Sequence, residues 1–241
     1  MKIRLNKFIA QAGVTSRRDA DRMIEEGRIK VNGQTIQNLG ARIDDKKDRV
    51  EVDGKEIKKN EDFVYLMMNK PPGCLVTLKD PFGRTTVKKF LPPLKTRVYP
   101  VGRLDFDSEG LLLLTNDGRL TFRLTHPRYQ VKKTYLVKVK GMLQEKDIAQ
   151  LERGVFVEGR KTAPAQIEIL EEKAFFSLLK IQVHEGRKRE IRKMFSTLGC
   201  EVVKLQRIEF GGISLGSLKK GQCRHLTPQE VKKLKRTTGL N

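Results

Sequence analysis

Near the start of the chain, apolar residues recur at helical spacing at Leu5, Phe8 and Ile9, and Gly13 ends the pattern. A second helix is predicted from Ser16, where Ser16-x-x-Asp19 suits a capping box, to the residue before Gly27. Ala20, Met23 and Ile24 form its apolar face, while Arg18 and Arg22 lie one turn apart on another. The pattern then changes. Arg28 to Val31, the Asn32-Gly33 turn and Gln34 to Ile36 read as a hairpin. Arg49 to Val52, Asp53-Gly54 and Lys55 to Ile57 read as a second. The polar run Lys58-Lys59-Asn60-Glu61-Asp62 interrupts this order, so residues 1–60 are predicted as one small domain and residues 61–241 as a larger one.

In the larger part, strands are predicted at Phe63 to Met68, Val98 to Val101, Leu111 to Leu114, Val131 to Val139, Ala165 to Leu170 and Phe175 to Val183. Helices are predicted at Arg119 to Thr125, Leu143 to Arg153, Arg189 to Leu198, and from Thr227-Pro228-Gln229-Glu230. That last start carries a cap, a proline in the first turn and a Glu that completes the box. The prolines of Asn69-Lys70-Pro71-Pro72-Gly73 and Leu91-Pro92-Pro93-Leu94 predict loops. Strands and helices do not alternate regularly. The expected class is therefore α+β, with a mixed, mainly antiparallel sheet flanked by helices and loops.

Charge narrows the partners. Fifty Lys and Arg against 29 Asp and Glu give the 241 residues a formal net charge of +21, which predicts attraction to a polyanion. Nucleic acid is the leading candidate, because no basic amphipathic helix with large exposed aromatics suggests an anionic membrane. Cys74, Cys200 and Cys223 form no C-x-x-C pair, and His126, His184 and His225 are scattered. Neither a zinc site nor a disulfide framework is expected, and a reducing compartment is. No apolar run approaches membrane-spanning length and Met1-Lys2-Ile3-Arg4 begins no signal peptide, so a soluble cytoplasmic protein is expected.

Candidate chemistry centres on Gly102-Arg103-Leu104-Asp105-Phe106-Asp107-Ser108-Glu109-Gly110, followed by four leucines and Thr115-Asn116-Asp117-Gly118. A carboxylate at the mouth of a buried strand is fixed by rigid backbone. The acid spacing suggests an EF-hand calcium loop, but the twelfth position is Asn116 rather than a bidentate Glu. A phosphotransferase Asp-x-Asp would end a strand, whereas here the strand follows. A two-metal nuclease would need more acids than Asp117 adds. From the residues alone, Arg103 and Asp105 also read as an ion pair in a turn. The second constellation, Glu185 to Phe195, places Arg187, Lys188, Arg189, Arg192 and Lys193 around a helix start. Such crowding of cations makes sense opposite phosphates or a buried carboxylate. Tyr135 shares a strand face with Val137 and Val139, and alone reads as a core aromatic.

Two resemblances organise these residues. Arg4-Leu5-x-Lys7-Phe8-x-Ala10-x-Ala12-Gly13, Ser16-Arg17-Arg18 and Gly27-Arg28-x-x-Val31-Asn32-Gly33 resemble the S4 RNA-binding module. This implies RNA-backbone contacts from Arg4, Lys7, Arg17, Arg18, Arg22 and Arg28. Gly102 to Asp105 with Glu109 to Gly118, Asn69-Lys70-Pro71, Lys133-Thr134-Tyr135, Glu185-Gly186-Arg187, Arg192-x-Met194-Phe195 and Leu226-Thr227 resemble the RsuA/RluB group of ribosomal RNA pseudouridine synthases. Phe106 and Ser108 stand where that group often has tyrosine and threonine.

The resemblance implies isomerisation of a flipped uridine without metal or cofactor. Asp105 would be the nucleophile, by direct attack on C1′ or by a glycal route. Arg192 would be its cation, and Tyr135 would lie against the base, to stack on it or to act as a general base. Arg103 would hold the flipped nucleotide, and Lys133, Arg187 and Lys188 would contact phosphates. Gly13-x-x-Ser16-Arg17-Arg18, Asp80-Pro81-x-Gly83-Arg84 and Arg187-x-Arg189 point to the large-subunit branch, hence 23S RNA. The alternatives are a 16S enzyme and a non-catalytic assembly factor. The expected partner is ribosomal RNA or an assembly intermediate, met by a monomer.

Overall fold

In the computed structural model, which describes residues 2–60 and 62–240, the residues up to Phe63 with Lys95–Arg97 form one compact unit. Val64–Leu94 and the residues from Val98 onward form another. Glu61, within the polar run at the expected boundary, lies outside the described residues.

The first unit runs β1 (Lys2–Arg4), α1 (Leu5–Gln11), α2 (Arg17–Glu25), β2 (Ile29–Val31), β3 (Gln34–Thr35), β4 (Arg42–Asp44), β5 (Val50–Val52) and β6 (Lys55–Ile57). Ser16 Oγ accepts the Asp19 amide at 3.1 Å and so starts α2. Strands β3-β2-β5-β6 form a sheet containing both predicted hairpins, and β1 pairs separately with β4. The hairpin turns place Asn32 and Asp53 at φ of 51° and 49°, which a following glycine accommodates. Leu5, Phe8, Ile9, Ala20 and Ile24 pack against Ile29, Ile43 and Val50 in one core. The sequence did not reveal β1 and β4, because they pair across distant positions with no tight turn joining them to mark a hairpin.

The second unit contains β7 (Tyr65–Lys70), β8 (Tyr99–Pro100), β9 (Glu109–Thr115), α3 (Gly118–Thr125), β10 (Lys133–Lys140) and α4 (Glu145–Arg153). There follow β11 (Phe156–Val157), β12 (Arg160–Lys161), β13 (Gln166–Lys173), β14 (Phe176–Val183), α5 (Glu190–Ser196), β15 (Val202–Phe210), β16 (Ile213–Ser214), β17 (Cys223–His225) and α6 (Pro228–Thr237). The main sheet has the order β13-β14-β10-β15-β9-β7-β17, with β16 on β15 and β8 on β9. Every pairing in it is antiparallel except β15 with β9.

That seam is short: Gln206 pairs with Glu109, and Arg207 with Gly110. Gly110 has φ +102°, and a Cβ there would lie 2.2 Å from the Arg207 carbonyl oxygen, so only glycine fits. Strand β9 is buried throughout. Its Leu112 and Leu114 join the core under α4 and α5, while Leu111 and Leu113 join the one under α3 and α6. Burial on both faces explains why the strand is a continuous apolar run. At about 2 kcal/mol for each leucine, it anchors the loop before it firmly.

Three expectations change. Strand β7 extends through Asn69 and Lys70, which the sequence placed in the proline loop. Val98 to Val101 contracts to β8. The central β15 was not predicted at all, because its buried residues Val202, Leu205, Arg207 and Phe210 follow neither a helical nor a strand period. Register shifts against β10 account for the irregular spacing.

Candidate active site

Asp105 lies in the loop between β8 and β9, half-buried, on the wall of a cavity of about 260 Å³. The same wall includes Arg103, Ser108, Lys133, Tyr135, residues 185–191 and Arg207. Tyr135 comes from β10, just after a register shift at Thr134/Tyr135 that re-aims the strand. Its partner in register on β15 is Arg207. Asp105 makes no ion pair among the described residues, so the turn-confined pair with Arg103 is not formed.

The loop carrying Asp105 is held from several directions. Lys70 is fully buried, and its Nζ donates to the carbonyls of Ser108 at 2.7 Å, Pro71 at 3.1 Å and Phe106 at 3.3 Å. Burial lowers the pKa of its amine, while Cys74, Asp107, Asp105 and Glu109 act to raise it. Arg189 and Arg192 both pair with Asp107, each at 3.2 Å. Burial opposes ionisation of Asp107, but the two arginines hold its pKa below the usual range. The Gly73 amide also donates to the Phe106 carbonyl at 2.8 Å.

Arg192 makes its contacts away from Asp105. Its Nη1 donates to the Val202 carbonyl at 2.6 Å and its Nη2 meets Asp107, in a recess apart from the Asp105 cavity. A guanidinium occupied in this way braces the loop without touching Asp105. The cation that braces the Asp105 loop is Lys70, which the sequence offered only as part of Asn69-Lys70-Pro71. A lysine ending an apolar strand just before proline was the available signal.

Lys133 and Arg187 are also engaged by groups of the protein itself. Lys133 is buried and donates to the carbonyls of Val131, His184 and Glu185, so all three of its protons are used. Burial, then Arg207, pushes its amine down to about 8, against the opposing pull of Glu190. Arg187 donates to the Arg160 and Lys161 carbonyls and to Glu185. Both side chains, assigned to phosphates by the resemblance, are engaged within the protein here. Of the five cations around the start of α5, Lys193 pairs with Glu158, and Lys188 alone has no ion pair among the described residues. Arg189 begins the helix at φ +54°, an uncommon conformation for a side chain that also reaches Asp107.

Two further groups were missed. Arg207 is buried on β15, and its Nε donates to the Leu111 carbonyl at 2.7 Å. Glu190 is buried below the cavity, where burial and then its hydrogen bond with Glu185 push its carboxyl up to about 7. In the first unit, Arg4, Arg17 and Arg18 are exposed and Lys7 is half-buried, all without an ion pair among the described residues. Arg22 instead pairs with Asp19, and Arg28 with Asp53 and Glu26.

A mixed sheet with a braced carboxylate loop at its parallel seam, in a chain that also holds a small basic unit, is in keeping with the RNA-modifying isomerase that the sequence led us to expect. The pattern of the family described as RNA pseudouridylate synthase matches residues 64–197, and that of the S4 domain matches residues 3–50. The chain belongs to the RNA pseudouridylate synthase family. It is 44% identical over 234 residues to ribosomal large subunit pseudouridine synthase B of Bacillus subtilis (strain 168), covering 96% of this chain and 95% of that protein. It is 41% identical to an uncharacterized RNA pseudouridine synthase of Aquifex aeolicus (strain VF5), covering 100% and 96%. A crystal structure of a pseudouridylate synthase superposes with a TM-score of 0.71 at 33% identity, covering 96% and 99%.

Proposed function

We propose that this chain converts a uridine of large-subunit ribosomal RNA into pseudouridine, with Asp105 as the nucleophile. The observation that carries this reading is Asp105 on the wall of a small cavity shared with Tyr135, on a loop braced by Lys70 and Asp107. The likeness to the Bacillus subtilis large-subunit enzyme supports the choice of RNA.

In the reaction, the N1–C1′ bond breaks, the uracil turns, C5 joins C1′, the proton on C5 departs and N1 takes one up. An ionised carboxylate is needed at the sugar, and the loop that Lys70 braces holds Asp105 at the cavity wall. Tyr135 closes the cavity against the base. Uridine stacked in RNA cannot reach this depth, so the nucleotide is flipped out. Arg103 and Lys188, exposed at the rim, meet its phosphates. The protein acts as a cytoplasmic monomer on ribosomal RNA or on an assembly intermediate.

Mapping pseudouridine in ribosomal RNA from cells carrying the wild-type gene, Asp105→Asn or a deletion tests the proposal. One large-subunit uridine is expected to lose its mark in both altered strains. Survival of every mark in the Asp105→Asn strain would remove Asp105 from the chemistry. A mark lost from the small subunit would reassign the substrate.

A further inference from the structure

Outside the cavity, the most unusual surface is the loop over residues 71–87. Its base is fastened to the loop carrying Asp105, since the Gly73 amide donates to the Phe106 carbonyl at 2.8 Å. The Leu75 amide donates to the Thr85 carbonyl and the Val87 amide to the Leu75 carbonyl, both at 2.9 Å, which closes the two legs together. At the tip, Asp80 accepts from the Phe82 amide at 3.2 Å and the Arg84 amide at 3.0 Å. It also binds the Arg84 guanidinium through both oxygens, at 2.8 and 3.2 Å. Gly83 supplies the φ of +70° that the tight turn requires.

All this order presents one ring to solvent. Phe82 is 79% exposed although Arg84 lies over it, 5.1 Å from the ring centroid. A phenylalanine held out of water's reach would be ordinary, but one held into it by a carboxylate and a guanidinium has a face to offer. Lys79 before the tip and Lys88 and Lys89 just after the loop are exposed and without ion pairs among the described residues. A rigid aromatic face flanked along the chain by unpaired cations is the combination that grips single-stranded nucleic acid: stacking holds the base, and the lysines hold the backbone.

We propose that the loop is an RNA-gripping finger, on which Phe82 stacks against an unpaired base of the substrate RNA near the target uridine. This rests on the proposed action on ribosomal RNA. The tip adds affinity and register and takes no part in the bond changes, and Asp80 and Arg84 are positioning residues for the ring.

The chain contains no tryptophan, so Phe82→Trp provides a single fluorescent reporter, with Phe175→Trp, at a position 86% exposed, as its control. In the full-length protein with unmodified large-subunit transcripts, emission from Phe82→Trp is expected to be quenched, and that from Phe175→Trp to be unaffected. Phe82→Ala is expected to raise KM about tenfold at unchanged kcat, with Phe82→Tyr restoring it. If the wild type modifies the transcript yet Phe82→Ala has an unchanged KM, or quenching is equal at the two positions, the finger is wrong and the enzymatic reading stands. A response of Phe82→Trp to ribosomal protein but not to naked transcript also overturns it. If the wild type modifies neither the transcript nor isolated ribosomal assembly intermediates, the enzymatic reading fails and the finger falls with it.

Discussion

Lys70 shows how much a single side chain settles beneath the cavity. It is the one donor shared by the Pro71, Phe106 and Ser108 carbonyls among the described residues, and it braces the loop that carries Asp105. Lys70→Met keeps most of the volume and leaves those carbonyls without their charged partner. Stability is expected to fall by about 2–3 kcal/mol in urea unfolding, with a lower kcat. Unchanged turnover would show that the loop holds its shape without the ammonium. Glu190 makes a second prediction. Its folded pKa of about 7 exceeds the ordinary 4.5, so the folded chain keeps a proton that the unfolded chain releases. Its contribution to stability is therefore present at low pH and declines as pH rises from about 4.5 through 7. Glu190→Gln should flatten that decline between pH 5 and 8 in urea midpoints, and an unaltered slope would place the titration elsewhere. Asp105 draws notice in the sequence because it precedes a strongly patterned strand, whereas Tyr135, alone a core aromatic, stands out only through the family resemblance. The true partners of Arg192, Lys133 and Arg187 could not be read there, because carbonyls distant in the chain have no sequence signature.

At the level of elements, the seam between β9 and β15 is decisive. Gly110→Ala would place a methyl 2.2 Å from the Arg207 carbonyl oxygen, against backbone that cannot swing aside, at φ +102°. A loss of at least about 3 kcal/mol in urea unfolding is expected, accompanied by loss of turnover. Near-native stability would mean that the two strands can part without harm. The sequence made one side of this seam plain, since Leu111 to Leu114 admit no reading but a buried strand. It hid the other side. Strand β15 carries Lys204, Arg207 and Glu209 among its apolar residues, and its bulges break the alternation by which strands are recognised. The helices were easier, because Ser16, Asp117 and Thr227 each cap a start through side-chain hydrogen bonds that local sequence announces.

For the whole molecule, the net charge of +21 is expressed through cations without acidic partners: Arg4, Arg17 and Arg18 in the first unit, Arg103 and Lys188 in the second. With about −0.7 to −0.9 per phosphate contact, five contacts give a slope near −4 when log affinity is plotted against log salt. Replacing Arg17 and Arg18 together by alanine should reduce that slope by roughly 1.5 and weaken binding alike for all sequences. A nearly flat salt response would show that these side chains do not face RNA. The restraints on the Asp105 loop have another consequence. Lys70 below, Arg189 and Arg192 through Asp107, and Gly73 through Phe106 order it within the protein itself. The entropy of arranging the nucleophile is thus lost once, at folding, rather than at each encounter. Energy gained on binding RNA remains available for drawing a stacked uridine out of its helix, the costly step that a floppy loop would leave underpowered.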